Sequence, residues 1–292
     1  MPLLNRRNFL RGLAFAATGA LVVDAGIIEP DRPVLTRLEI PLRRLPQAFD
    51  GFTIAQLSDF HYDEHFSITP IKRAVEMVNA LHPDLVVLTG DFVTQPLSNR
   101  FGDAKKAADK AEPCAAILGK LQSHGDLIAV LGNHDYGTDH RRVTQCLQAQ
   151  GITVLINQSR PLERSGARLW IAGADDNPDD GDLRATLHDV PPDEAVVLLS
   201  HEPDNAEYAM HFPVDLQLSG HSHGGQVRFP LIGPLYLPEH ATRFPWGLRK
   251  LGSLTLYTNI GIGTIRVPVR FNCPPEVTLV TLRSGEGAPV QS

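Results

Sequence analysis

The sequence predicts a layered α/β domain, central β-sheets flanked by helices, and three observations carry that expectation. Short apolar runs of strand length alternate with longer segments whose apolar residues recur at helical spacing. Several runs are nearly continuous in β-branched residues and leucine, as strands covered on both faces must be. Five of them end in a turn bearing aspartate, asparagine or histidine, the position at which open α/β sheets bind ligands.

The chain opens on Asn5-Arg6-Arg7-Asn8-Phe9-Leu10-Arg11 and the uncharged run Gly12 to Val23, which have the basic region and apolar core of an export signal. The twin arginine before Phe9 and Leu10 resembles a twin-arginine translocation signal. That resemblance implies the twin-arginine export machinery as a partner, export after folding, and a periplasmic or cell-envelope location. The apolar run is shorter than the roughly 20 residues of a spanning helix, so residues 1–28 are read as a cleaved signal or a marginal anchor. Ala25 offers a small residue at a cleavage position, and an uncleaved tether stays open. Residues 29–292 are read as one domain.

After a proline-marked linker, Leu35 to Ile40 alternates like an edge strand and Phe52 to Leu57 follows as a second. Thr69 to Leu81 has apolar residues at Ile71, Ala74, Val75, Val78 and Leu81 behind a Thr-Pro start, the pattern of a helix. Asp84 to Thr89 and Leu127 to Leu131 read as central strands, with a helix between them over Asp103 to Leu121. A short helix near Arg141 to Gln150 precedes strands at Thr153 to Ile156 and Arg168 to Ala172. The Pro- and Asp-rich stretch Asn177 to Asp182 is a loop. Ala195 to Leu199 is a buried strand, Asn205 to His211 a short helix, and Val214 to Leu218 a strand of alternating polarity. Leu254 to Ile260 and Val277 to Leu282 complete the strands.

Composition excludes some functions. A formal net charge of -6 argues against an electrostatic nucleic-acid binder, which carries a basic excess. Cys114, Cys146 and Cys273 are odd in number and widely spaced, so they build neither a disulfide framework nor a cysteine-rich zinc site. They are expected to be buried.

The chemistry-bearing residues sit at the strand ends. Ser219-Gly220-His221-Ser222-His223-Gly224-Gly225 places two imidazoles two residues apart after an alternating strand, so both project to one side. Glycines flank them where the backbone must turn tightly. Ser58-Asp59-Phe60-His61 repeats that spacing; Gly90-Asp91, Gly132-Asn133-His134-Asp135 and Ser200-His201 end the other strands. Taken singly, Asp59 and Asp91 could cap helices, Asn133 could hold a turn and His201 could be a buried core histidine. Together they form a coherent set of oxygen and imidazole ligands.

The ordered set Asp-x-His, Gly-Asp, Gly-Asn-His-Asp, His and Gly-His-x-His resembles the calcineurin-like metallophosphoesterase superfamily from about Phe52 to Gln226. Together with the signal, it looks most like an exported bacterial phosphodiesterase branch. The resemblance implies a β-sandwich flanked by helices. It also implies two divalent ions (Mn, Fe or Zn), with Asp59, His61 and His223 on one, Asn133, His201 and His221 on the second, and Asp91 bridging. A metal-bridging hydroxide would then attack a phosphate ester, a phosphodiester rather than a monoester. His134 would lie near the leaving-group oxygen, to protonate it or stabilise its charge. Asp135 would orient the His134 ring or hold a turn. His65 is the one further histidine close to a motif. A nuclease or phosphomonoesterase of the same fold, or a non-catalytic metal-binding protein, are the alternatives.

Between Pro230 and Leu251, Leu235, Tyr236, Leu237, Phe244 and Trp246 are interleaved with Arg243, Arg249 and Lys250. That mixture suits an amphiphilic or lipid-linked phosphate ester of the cell envelope, or contact with a membrane surface. It suits equally a loop folded over a sheet edge with its apolar residues buried.

Overall fold

A computed structural model describes residues 6–97, 103–175, 182–287 and 290–291. Asn5 and all of the expected 177–182 loop except Asp182 lie outside the described residues.

Two sheets form the centre. The first comprises β1 (Val34–Leu42), β2 (Thr53–Leu57), β3 (Leu85–Thr89), β4 (Leu127–Val130), β5 (Thr153–Val154), β14 (Glu276–Ser284) and β15 (Val290–Gln291), in the order β15-β1-β14-β2-β3-β4-β5. The second comprises β6 (Gln158–Arg164), β7 (Ala167–Gly173), β8 (Ala195–Leu199), β9 (Leu216–Ser219), β12 (Gly247–Leu251) and β13 (Leu254–Thr258), in the order β12-β13-β9-β8-β7-β6. A two-stranded ribbon, β10 (Arg228–Phe229) and β11 (Gly233–Pro234), stands apart. Strands β2 to β5 are mutually parallel, as are β7, β8, β9 and β13. In each sheet, therefore, several chain segments leave at the same edge.

The two-residue side-chain period of a strand explains the layering. Leu85 and Val87 of β3 point into a core between the sheets, with Ile54, Ile128, Val197, Leu199, Leu216 and Tyr257. Val86 and Leu88 point outward, under α2 (Ile68–Leu81), α4 (Ala111–Leu118) and α6 (His140–Ala149), which contribute Ile71, Val75, Val78, Cys114, Leu118, Val143 and Leu147. On the far side Val196 and Leu198 of β8 face α7 (Leu183–Thr186) and α8 (Ala206–Ala209), through Leu183, Ala206 and Ala209. The expected helix-flanked sheet pair is thus present, with both faces of β3 and β8 buried. All three cysteines are free and buried.

Some expectations are corrected. The single helix read over Asp103 to Leu121 is two, α3 (Asp103–Asp109) and α4. Pro113 lacks an N–H, and its ring would strike the carbonyl of Asp109 in a continuous helix. The short helix at Asn205 to His211 shrinks to α8 behind a 3-10 turn at Pro203–Asn205. Strand β6 was not legible, because Arg160, Glu163 and Arg164 hide its period; it is held by a full hairpin register with β7. Strand β1 is not a bare edge, since the C-terminal β15 pairs along it.

The N-terminal helix, α1 (Arg6–Val23), continues through a π-turn at Asp24–Ile28, and none of its residues is buried. It therefore outruns the apolar stretch at both ends, and its 23 residues are long and apolar enough to cross a membrane. One short helix, α5 (Asn133–Tyr136), directly follows β4.

Candidate metal centre

The parallel strands deliver every expected residue to one edge. Asp59 and His61 follow β2, Asp91 follows β3, Asn133 and His134 open α5 after β4, His201 follows β8, and His221 and His223 follow β9. Both sheets contribute, so the site bridges them. Backbone bonds join the turns: Asp59 N–H donates to Gly90 O (3.0 Å), His61 N–H to Asp91 O (3.0 Å) and Gly220 N–H to His201 O (2.9 Å). His221 N–H donates to the Asp59 carboxylate at 3.0 Å, and His134 N–H to Asp91 Oδ1 at 2.9 Å.

This convergence is bought with backbone strain. Asp59, His61, Asp91, His221 and His223 have φ of 54°, 40°, 57°, 68° and 49°, a region that non-glycine residues rarely enter. Such conformations persist where the surroundings over-determine them, and they gather at functional sites. Glycine is required at Gly220 and Gly132 for a different reason. A Cβ on Gly220 would collide with Ser58 Oγ and Asp59 Oδ2, and one on Gly132 with Asp91 Oδ1.

Ligand atoms of Asp59, His61 and His223 lie within 4.8 Å of one another, and so do those of Asp91, His201 and His221. Asp91 Oδ2 stands between the groups, 3.4 Å from His61 Nε2 and 3.2 Å from His201 Nε2. His61 Nε2 faces His223 Nε2 at 3.0 Å, and His201 Nε2 faces His221 Nδ1 at 3.2 Å.

Protons on the outer nitrogens test whether a cation fits. His201 Nδ1 lies 2.6 Å from Thr89 O and His221 Nε2 lies 2.8 Å from Glu239 O. A carbonyl only accepts, so each of these outer nitrogens carries a proton, and with both rings neutral the two nitrogens that face each other are acceptors beside the Asp91 carboxylate. Two such acceptors and a carboxylate at this spacing repel one another, and a divalent cation among them satisfies all three. Outer partners of this kind fix the tautomer of metal-binding histidines. Buried Asn133 Oδ1 and His223 Nδ1 have no hydrogen-bond partner. Burial, helped by His201, pulls the His221 pKa down to about 3, and burial with His61 pulls His223 well below its usual value. Burial pushes Asp91 up, but His201 and His134 outweigh it and hold the carboxyl well below the usual range. Burial raises Asp59. The donor set therefore suits divalent cations.

His134 packs edge-on against His61, centroids 4.8 Å apart, with a nitrogen close enough to join His61 and Asp91. Its Nδ1 accepts the Gln95 N–H at 2.9 Å, so the neutral ring carries its proton at Nε2 and presents a donor. It lines an open cleft of about 770 Å³ together with His61, Thr94, Lys106, Lys110 and Arg266.

Asp135 does not touch the His134 ring. Fully buried, it accepts backbone N–H groups from Asp91 (2.9 Å), Phe92 (2.9 Å), Val93 (3.3 Å) and Gly132 (2.9 Å). It ties the turn after β3 to the turn after β4, which is the turn role. His65 is exposed and outside the ligand groups. Arg270 was not expected. Fully buried, it donates to the carbonyls of Ile260, Gly261, Gly263 and Cys273. Gly263 N–H in turn bonds Asp59 O at 2.7 Å, so Arg270 props the loop under the first ligand. A lone arginine in a proline-rich stretch gives no sign of this.

Residues 52–225 match the family model described as calcineurin-like phosphoesterase. The chain is 35% identical to the metallophosphoesterase YkuE of Bacillus subtilis, over 97% of this chain and 99% of that one. It is 32% identical to the phosphodiesterase YaeI of Escherichia coli, over 96% and 100%. It is 26% identical to the UDP-2,3-diacylglucosamine pyrophosphatase LpxG of Chlamydia muridarum, over 88% and 91%.

Proposed function

Because this chain belongs to the calcineurin-like phosphoesterase family, we propose that it is a dinuclear phosphodiesterase exported by the twin-arginine route. That it is a hydrolase acting on phosphoester bonds follows from the family and its phosphodiesterase and pyrophosphatase relatives. Asp59, His61 and His223 would hold one metal, Asn133, His201 and His221 the other, and Asp91 would serve both. The observation that carries this reading is the pair of ligand groups, Asp59, His61 and His223 and Asp91, His201 and His221, each with its ligand atoms within 4.8 Å of one another and Asp91 Oδ2 between them. When bound, the two cations supply Lewis acidity to the phosphoryl group and an acidified water for in-line attack.

The protein's own residues do the rest. Lys106 and Arg266 offer positive charge to an anionic ester in the cleft, while Lys110 is paired with Asp63 and Glu64; a chain of net charge -6 must provide such charge locally. His134 donates its Nε2–H to the departing oxygen and stabilises the charge that develops there. A diester is favoured because the full-length relative YaeI is named a phosphodiesterase. The overall acidity disfavours a nuclease.

Hydrolysis of bis-p-nitrophenyl phosphate and p-nitrophenyl phosphate tests the reading. The diester should be the better substrate, chelation should abolish its turnover and added Mn should restore it. Full activity in protein shown by elemental analysis to be metal-free would remove the metal site, and faster turnover of the monoester would remove the diester preference.

A further inference from the structure

Outside the N-terminal helix, ten large apolar side chains are exposed among the described residues. Six of them, Phe229, Leu231, Ile232, Leu235, Tyr236 and Val267, fall in two segments, 227–236 and 264–272. The segments are one surface. Val227 bridges to Phe271, Arg228 N–H donates to Phe271 O at 2.9 Å, and the rings of Phe229 and Phe271 pack 5.6 Å apart. The Arg266 guanidinium lies 5.5 Å from the Tyr236 ring centroid. At its tip Leu231 is fully exposed and sits at φ 69°. A leucine that gains no burial in a disfavoured backbone region is unexplained by packing within this chain.

The same surface meets both the N-terminal helix and the metal centre. Arg270 N–H donates to Ala25 O at 2.9 Å, and the Glu29 carboxylate accepts the N–H groups of Asn272 and Cys273. The end of a helix long and apolar enough to cross a membrane is therefore fastened here. The same Cys273 donates its Sγ–H to His223 O at 3.2 Å. Arg266 and Val267 line the catalytic cleft with His61 and His134. Anchor, apolar lip and cleft share one edge of the protein.

We propose that this edge docks on the bilayer that holds the N-terminal helix. Leu231, Ile232, Leu235 and Val267 enter its interface, which opens the cleft at the headgroup layer and presents it with the phosphodiester of a membrane-embedded amphiphile. Apolar side chains beside a cleft that carries Lys106 and Arg266 suit that layer, where hydrocarbon and phosphate lie adjacent. The substrate half of the proposal rests on the phosphodiesterase reading above; the docking half does not.

The full-length chain, reconstituted in vesicles of phosphatidylethanolamine and phosphatidylglycerol, tests docking through a fluorophore on Ile232→Cys and nitroxide-bearing lipids. The native cysteines are buried, and labelled wild type sets the background. Glu163→Cys, exposed on the β6–β7 hairpin at the opposite end of the parallel strands, is the reference. Quenching several-fold stronger at position 232 is expected; equal quenching at both sites overturns docking. The substrate half is read from a variant carrying Leu231→Asp, Ile232→Asp and Leu235→Asp. It should hydrolyse soluble bis-p-nitrophenyl phosphate as the wild type does, yet turn over a phosphodiester lipid in vesicles about tenfold more slowly or worse. Equal loss on both substrates, or on neither, overturns presentation from the bilayer. Wild type inactive on both esters defeats the phosphodiesterase reading instead, and the quenching still decides docking.

Discussion

His134 receives the Gln95 N–H at Nδ1 and so enters any reaction as a neutral ring with a proton at Nε2. A neutral imidazole is a good hydrogen-bond donor and a poor acid, which favours charge stabilisation over proton transfer. His134→Ala should retain its metals, by elemental analysis, and lose about 10²-fold or more in kcat on alkyl diesters. The loss should be smaller on p-nitrophenyl diesters, whose leaving group needs little help; equal losses would show that His134 acts on the site's assembly. The ring also makes stability depend on pH. Burial, only partly opposed by Asp91, pulls its pKa to about 4, against 6.5 for a free histidine. As pH falls below 6.5 the unfolded chain takes up a proton that the folded metal-free protein refuses until about 4, so stability is lost across that window. His221, at about 3, adds to the loss with the same sign. Asp135, whose burial raises its carboxyl to about 7, acts with the opposite sign, so the His134 share is read by difference: on going from pH 7 to pH 5, the urea midpoint of metal-free His134→Gln should fall less, or rise more, than that of the wild type.

The turns after β3 and β4 hold their shape through one carboxylate. Asp135 accepts four backbone N–H groups with two oxygens, an arrangement that an amide cannot copy, because its NH₂ would face a donor. Asp135→Asn should cost about 2–5 kcal/mol in denaturant unfolding, from one or two buried N–H groups left unpaired. It should also lower metal occupancy, because Asp91 and Asn133 sit on the turns it joins. A variant of unchanged stability would mean that the turns hold themselves. The break between α3 and α4 shows a different kind of local control, since Pro113 alone forbids a continuous helix.

For the chain as a unit, the order of folding and transport matters. The centre is assembled from both sheets, so His201, His221 and His223 meet Asp59 and Asp91 only once the sandwich has closed. If the Arg6-Arg7 pair directs export of folded protein, the metals would be acquired in the cytoplasm. Replacing both arginines with lysine should then hold the protein in the cytoplasm with its metals bound; fractionation that finds export unchanged would point to another route.

What the sequence by itself determined is local. The strand runs, the turn residues after them and the ligand types two apart in Asp59/His61 and His221/His223 are set by periodicity and by glycine, and Asp59, His61, Asp91, His201, His221 and His223 lie in groups of ligand spacing. So is the apolar character of the N-terminal helix, although its length was underestimated because Arg6 to Arg11 and Asp24 to Ile28 extend it. Only the tertiary structure decided the rest. That Asp135 binds backbone and not His134, that a buried Arg270 supports Asp59, and that Leu231 to Tyr236 share an edge with Ala25 and the cleft are contacts between residues far apart in the chain. No local pattern encodes them, because a hydrogen bond or a shared surface of that kind exists only after packing has brought its partners together.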